Sequence, residues 1–431
     1  MTTINAETAR RAERRAGRLL SVFTVLLSIC APPAAAQTTS PDVAPAPPAI
    51  GLDEPAWACE EVGTGVEWCH RQFSQLFGAP QSLSVLRVDL KQPGVHVRFA
   101  EAAHFSDPTP ALRLERTSDI AARTRAIAAV NGDFFDGFAH QGPLIVDGHV
   151  RSFAPNGHPQ ATASFGFDTR DEPRFWPKTK DGWIIPGDIA HAVSGGPMLL
   201  QDGSTVAYAA GDAFALGRHP RTGACVAPSR TIDLVVADGR TPQAAGLTLP
   251  ELAAVMRAFG CTTAINLDGG GSSTMWVRGA PPAGVVSHPS DDRRFDVFGE
   301  RAVGTAVLVI APDVIVAGTD EAAITRSAAG TEARWELPVY FSGSYKVFVR
   351  PAAAARAGER LEIEIDRKPV APLVLDSPRR DRGWVEVGST TVTVREGLVP
   401  GPAWVPIVIR SAPTRASAPM SIAAIRLVQQ P

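Results

Sequence analysis

One stretch of this 431-residue chain restricts its fold more than any other. Ile232–Ala237 is an apolar run with strand character that ends at Asp238-Gly239-Arg240. Thr248 and Glu251 have the spacing of a capping box, and Pro250 is permitted in a first helical turn. Leu252, Val255, Met256 and Phe259 then recur at i, i+3, i+4 and i+7, one face of a helix that Gly260 closes. Thr263–Leu267 is the next strand; Asp268-Gly269-Gly270-Gly271-Ser272-Ser273 and the strand Thr274–Val277 follow it. Strand, helix and strand with short connections predict a βαβ unit whose two strands are parallel. Asp238 and Asp268 would then leave the sheet at one edge, the carboxyl edge that ligands favour in open α/β sheets.

The flanking sequence reads differently. Ser82–Leu90, Val95–Ala100 and Ala126–Val130 have strand character, and Ser118 is placed to cap a short helix. Asp147-Gly148 and Asp202-Gly203, each between apolar runs, are hairpin signals. Beyond about residue 312 the pattern changes to short alternating segments: Trp335-Glu-Leu, Tyr345–Val349, Leu361–Ile365, Val385–Val387, Thr391–Val394, Pro406–Ile409 and Ile422–Leu427. Such spacing predicts an all-β sandwich. The expected fold is thus an α+β (mixed α-β) catalytic domain with a mixed central sheet and a βαβ unit, followed by an all-β sandwich.

Five arginines between Arg10 and Arg18, the apolar run Leu19–Ala31 and the small residues Ala34-Ala35-Ala36 read as a secretory signal peptide. The apolar run is short for a membrane span, so no transmembrane segment is expected after its removal. The expected organisation is a leader over 1–36, a Pro/Ala-rich linker over 37–55, a catalytic domain over 56–311 and the sandwich over 320–431. Net charge is −2 for the whole chain and −5 without the leader, which carries five Arg and two Glu. Neither value supplies the broad basic footprint of a nucleic-acid binder. Removing Cys30 with the leader leaves four cysteines, which in a secreted or periplasmic protein suggests two disulfides among three pairings. Cys59–Cys69, within a short loop, and Cys225–Cys261, joining distant segments, are preferred. No CxxC or HExxH spacing marks a zinc site.

Four short motifs bear on chemistry. In Asp268-Gly-Gly-Gly-Ser-Ser, glycines let the backbone approach a ligand and turn amides into an anion-binding nest, although the string is equally a tight turn. It lacks the Gly-Lys-Ser/Thr ending of a phosphate-binding P-loop. Asn131-Gly132-Asp133-Phe134-Phe135, Ser194-Gly195-Gly196-Pro197 and His219-Pro220-Arg221-Thr222 are each compatible with turns when taken alone.

In this order the four together resemble the phosphodiester glycosidase family, over roughly residues 80–310. The resemblance implies a secreted or lumenal hydrolase that splits sugar-1-phosphate diesters at the glycosidic bond. Asn131, Gly132, Gly195, Gly196, Arg221, Thr222, Asn266, Asp268, Gly269, Gly270, Gly271, Ser272 and Ser273 match it; Asp133 and Gly223-Ala224-Cys225 depart from it. Gly343-Ser-Tyr-Lys-Val, Arg382-Gly-Trp-Val-Glu-Val-Gly and Ile422-Ala-Ala-Ile-Arg-Leu-Val resemble the golvesin C-terminal, carbohydrate-binding-like β-sandwich family. Trp335, Trp384 and Trp404 are candidates for stacking on sugars, with a core position favoured for Trp384.

Glycosidases commonly set two carboxylates about the anomeric carbon. Asp268 is expected to be the principal one, with Asp133 or Asp238 second; its alternative role is to cap the amides of its own loop. Arg221 and the Gly269–Gly271 amides are expected to hold the diester anion, and Asn131 and Asn266 to orient sugar hydroxyls. No cofactor is required; calcium is conceivable, but no EF-hand spacing supports it. The expected partner is a glycan or glycosyl phosphodiester in an envelope or extracellular glycan, and not nucleic acid. The competing functions are a non-catalytic glycan-binding protein and a phosphodiesterase cutting P–O bonds. When the chain is made in a secreting host, N-terminal sequencing of the exported protein should begin at Gln37; an intact Arg-rich start would overturn the leader.

Overall fold

The computed structural model describes residues 50–103, 114–137, 139–154, 158–318, 322–327, 330–352, 358–375, 384–394, 403–411 and 422–430. The expected leader, Cys30, residues 37–49 of the linker and Arg382-Gly383 lie outside them. Among the described residues strands dominate, and no helix is long and apolar enough to cross a membrane.

Three main sheets build the first part, with two short two-stranded ladders beside them among the described residues. The largest has eight strands in the order Ala58–Gly63, Val66–Leu76, Ala79–Asp89, Thr231–Ala237, Arg221–Val226, Thr263–Asn266, Met198–Gln201 and Ser204–Thr205. A five-stranded sheet centres on Ile189–Gly195, and a four-stranded sheet has Ala128–Asn131 and Thr305–Ile310 at its middle. Apolar runs mark the central strands because both faces are covered. In Thr231–Ala237, Ile232, Leu234 and Val236 face the core between the sheets, while Val235 and Ala237 face the helix Leu249–Ala258.

That helix forms as its sequence dictates. Thr248 Oγ1 accepts from Glu251 N–H at 3.2 Å, Glu251 Oε2 accepts from Thr248 N–H at 2.9 Å, and the Leu252, Val255, Met256 and Phe259 face is buried. The parallel βαβ pairing does not form, however. Thr231–Ala237 and Thr263–Asn266 run in the same direction, but Arg221–Val226 lies between them and pairs antiparallel with both. Every ladder among the described strands is antiparallel, so the central sheet is not mixed and the α+β, βαβ expectation gives way to a mostly-β architecture. Neither propensity nor periodicity signals a strand inserted from earlier in the chain. The cap expected at Ser118 differs too. Ser118 lies inside the helix Thr117–Arg123, and its N–H and hydroxyl both donate to the Glu300 carboxylate at 2.8 and 2.6 Å.

Both expected disulfides are present, Cys59–Cys69 and Cys225–Cys261. Beside the second, Arg87 donates to Asp233 on the adjacent strand at 2.9 and 2.8 Å and to the Phe259 carbonyl at 3.1 Å. The ion pair therefore also satisfies the end of the helix.

The second part is a sandwich of a four-stranded and a six-stranded sheet. Its first strand, Val314–Gly318, pairs with the last, Ile422–Gln429. The segments expected as two strands, Val385–Val387 and Thr391–Val394, form one strand over Val385–Val392. Trp335, a candidate for sugar stacking, is in the core at 1% exposure, because the alternation of Gly330–Val339 turns it inward. Trp404 is 60% exposed. Trp384 is half-buried rather than in the core, with the Arg350 and Arg426 guanidinium groups 5.2 and 5.9 Å from its ring.

Arg87→Leu should lower stability by about 3 kcal/mol in urea denaturation, because it leaves Asp233 buried without its partner. Adding Asp233→Leu should recover most of that loss, and a lack of recovery would show that packing, not charge, carries the effect.

Candidate active site

The ends of four strands converge where the large sheet meets the four-stranded one. Ala128–Asn131 delivers Asn131-Gly132-Asp133, Ile189–Gly195 delivers Gly195-Gly196, and Thr231–Ala237 delivers Asp238. Thr263–Asn266 delivers Asn266 and, two residues on, Asp268, whose N–H donates to the Gly132 carbonyl at 3.1 Å. Arg221 and Thr222 begin the strand that runs the opposite way.

Asn131 ties these segments together. Its Nδ2 donates to the Asp268 carbonyl at 2.7 Å, and its Oδ1 accepts from Thr222 Oγ1 at 2.7 Å and Thr274 N–H at 3.1 Å. Thr222 Oγ1 is also 3.2 Å from Ser273 Oγ. Asn266 Nδ2 donates to the Gly196 carbonyl at 2.8 Å, and Gly196 N–H donates back to the Asn266 carbonyl at 2.7 Å. Asn131, Thr222, Asn266, Ser272 and Ser273 are all buried. These side chains therefore lie beneath the loop, and Asn266 Oδ1 keeps no partner among the described residues.

Arg221 is buried as well. Its Nε donates to the Leu247 carbonyl at 3.0 Å, and Nη2 donates to those of Phe214 and Gly217 at 2.6 and 2.9 Å. Its guanidinium lies 5.0 Å from the Phe214 ring centroid, and burial pushes its pKa down to about 10. Through these carbonyls and the aromatic face it braces the loop before Pro220.

The glycine nest is partly spent as well. Gly269 N–H donates to Asp268 Oδ1 and Gly270 N–H to the Pro220 carbonyl, each at 2.8 Å. Asp268 thus does cap its own loop. Gly270, with φ of +63°, turns the chain toward the Arg240 guanidinium. A side chain at Gly271 would collide with Asp291 and Arg301, which are paired through two bonds of 2.7 and 2.6 Å. Those two arginines border the loop; Arg240 is exposed and Arg301 is 42% exposed.

The three carboxylates have different surroundings. Asp268 is enclosed on nearly every side yet keeps part of its surface open. Burial pushes its pKa up to about 7; Ser272 and the Gly269 amide oppose the shift, and the nearby Asp133 charge reinforces it. Asp133 is buried, with Oδ1 accepting from Thr305 Oγ1 at 2.6 Å and Oδ2 lying 2.9 Å from His140 Nδ1. His140 Nε2 is 3.1 Å from Glu101 Oε1. Burial alone would lower the His140 pKa, but its two acidic neighbours outweigh it and hold the imidazole at about 9. Asp238 is buried too, accepting from Ser82 Oγ at 2.6 Å and from His288 N–H at 2.8 Å, with His288 Nδ1 2.8 Å away.

Glu101, His140, Thr305, Arg240, Asp291 and Arg301 carried no signal in the sequence. They come from four separate stretches, and only the short Phe135–Asp136/Ala139–His140 hairpin is local to a motif. Among the described residues, the one cluster with metal-ligand spacing is Cys225, Asp233 and Cys261, whose sulfurs are bonded to each other.

Residues 124–310 match the phosphodiester glycosidase family. Among solved structures, a hypothetical protein from Synechocystis is 16% identical with a TM-score of 0.47, over 60% of this chain and 64% of that one. The chain thus covers less than two thirds of that protein's length. The catalytic domain of zebrafish N-acetylglucosamine-1-phosphodiester α-N-acetylglucosaminidase, auto-inhibited by its pro-peptide, is 20% identical with a TM-score of 0.45, over 60% of this chain and 85% of its own. A family 35 carbohydrate-binding module from Clostridium thermocellum is 14% identical with a TM-score of 0.21, over 27% of this chain and 99% of its own. No curated protein matches.

A carboxyl whose pKa is raised on folding binds protons more tightly in the native state, so its contribution to stability falls as pH rises from about 4 to about 7. Asp268→Asn should therefore raise the melting temperature more at pH 8 than at pH 5, and an equal change at both would refute the burial of this charge.

Proposed function

We propose, for a chain whose residues 124–310 match the phosphodiester glycosidase family, that it hydrolyses the glycosidic bond of sugar-1-phosphate diesters. The observation that carries the reading is Asp268. Of the three candidate aspartates it alone is part-buried as a residue, where Asp133 and Asp238 are buried, and arginines border its glycine loop.

The chemistry follows from charge. As the bond between anomeric carbon and oxygen breaks, the sugar becomes oxocarbenium-like and the phosphate carries the departing electrons. Phosphate leaves well, so a carboxylate beside the sugar is needed more than an acid beside the leaving oxygen. Asp268 in its ionised form meets the positive sugar, while Arg240 and the Gly271 amide meet the phosphate, with Arg301, paired to Asp291, bordering the loop. Such groups, fixed before the reaction, stabilise charge as it develops. Asp133 and Asp238, each held by a histidine and a hydroxyl, are positioning groups in this scheme. Protonated His140 balances the Asp133 charge next to Asp268. The setting is an exported protein, which the two disulfides suit, and the substrate lies in an envelope or extracellular glycan.

Turnover of a glycosyl-1-phosphate diester should rise as pH increases through about 7, where Asp268 ionises. Asp268→Asn should reduce kcat by about 10²–10⁴-fold; undiminished turnover would remove Asp268 from the chemistry. With no turnover by the unaltered chain, glycan binding alone would be left. In oxygen-18 water the label should enter the sugar hydroxyl, whereas label in the phosphate would mean P–O cleavage. Chelation should leave the rate unchanged; its loss would show that a metal, not arginine, meets the phosphate charge.

A further inference from the structure

A cavity of about 640 Å³ lies between the opening hairpin, the turn after Met275–Val277 and the first strands of the sandwich. None of its lining residues belongs to the active site described above. Its volume falls within the range of small-molecule sites, about 300–1,000 Å³, and such sites favour domain interfaces. We propose that it binds a neutral saccharide.

The wall chemistry selects that class. Glu60, Glu61, Glu336 and Asp313 line it against a single cation, Arg278. With Glu61 and Glu336 paired to Arg426 and Arg334 outside the lining, the wall offers no surplus of positive charge for phosphate, in contrast to the arginine-bordered loop at Asp268. The rings of Trp68 and Tyr340 contribute flat apolar surface with a polar edge, suited to the face of a sugar ring. Hydrogen-bonding capacity is also left over. Asp313 Oδ2, Arg278 Nη1 and Trp68 Nε1 are buried without a partner, and Arg278 Nη1 stands 4.0 Å from Asp313 Oδ1, too far for a direct bond. Buried polar groups in proteins are rarely left so. One acceptor and two donors are what a polyol satisfies, since each hydroxyl both gives and takes a proton. Arg278 is held for this role by stacking 3.9 Å from the Phe341 ring and by donating to the Ala126 carbonyl.

The test is calorimetric titration of the full chain with a panel of neutral oligosaccharides, with inorganic phosphate as a separate probe. At least one saccharide should bind, and Asp268→Asn should leave that binding intact. Tyr340→Ala should weaken it about tenfold without a change in melting temperature. Ala280→Trp, which fills the cavity, should abolish it while turnover of a small diester persists. The proposal fails if no neutral saccharide binds, if binding survives both cavity variants, or if phosphate competes for the site.

Discussion

The buried amide of Asn131 holds together everything that follows from this architecture. It reaches from the four-stranded sheet to the Asp268 carbonyl, the Thr222 hydroxyl and the Thr274 amide. These partners belong to a strand of the large sheet and to both sides of the glycine loop. That side chain donates once and accepts twice, all within the protein. Removing any one partner would strand a polar group away from water, a costly state. The loop that carries Asp268 is rigid for that reason, and the carboxylate is aimed by the backbone on either side of it.

Around that anchor the three aspartates are differentiated by what touches them. Asp133 and Asp238 each receive a hydroxyl and a histidine, and both are sealed. Asp268 receives the Gly269 amide and has Ser272 beside it, and burial outweighs both and raises its proton affinity. Environments that separate similar carboxyl groups are how one site divides tasks among them. The arginines divide in the same way. Arg221 is spent on three carbonyls, while Arg240 and Arg301 remain at the rim.

The sandwich is held against the first part by named contacts. Asp313 N–H donates to Gln429 Oε1 at 3.2 Å and Gln429 N–H returns to the Asp313 carbonyl at 2.9 Å, while Arg426 pairs with Glu61 at 2.7 Å. First and last strands of the sandwich thus meet beside the opening hairpin. The unpartnered Asp313 and Arg278 atoms lie at this same junction, where two cores approach without fully merging.

Local signals determined local structure. The capping box at Thr248 and Glu251, the Asp147-Gly148 and Asp202-Gly203 hairpins and the strands of the sandwich could be read because each depends on neighbours in sequence or on side-chain alternation, while the two disulfides followed from the four cysteines beyond the expected leader. The four motifs likewise marked the loops that converge. What they could not convey was direction. Whether Arg221 faces a ligand or the Leu247, Phe214 and Gly217 carbonyls depends on segments folded beside it, as does the strand that separates Thr231–Ala237 from Thr263–Asn266. His140, Glu101 and Thr305 gather at Asp133 from stretches up to 172 positions away. Residue type and spacing determined which segments turn and where carboxylates stand; only tertiary packing decided how deeply each is buried and what it touches, because burial and charge arise from residues distant in the chain.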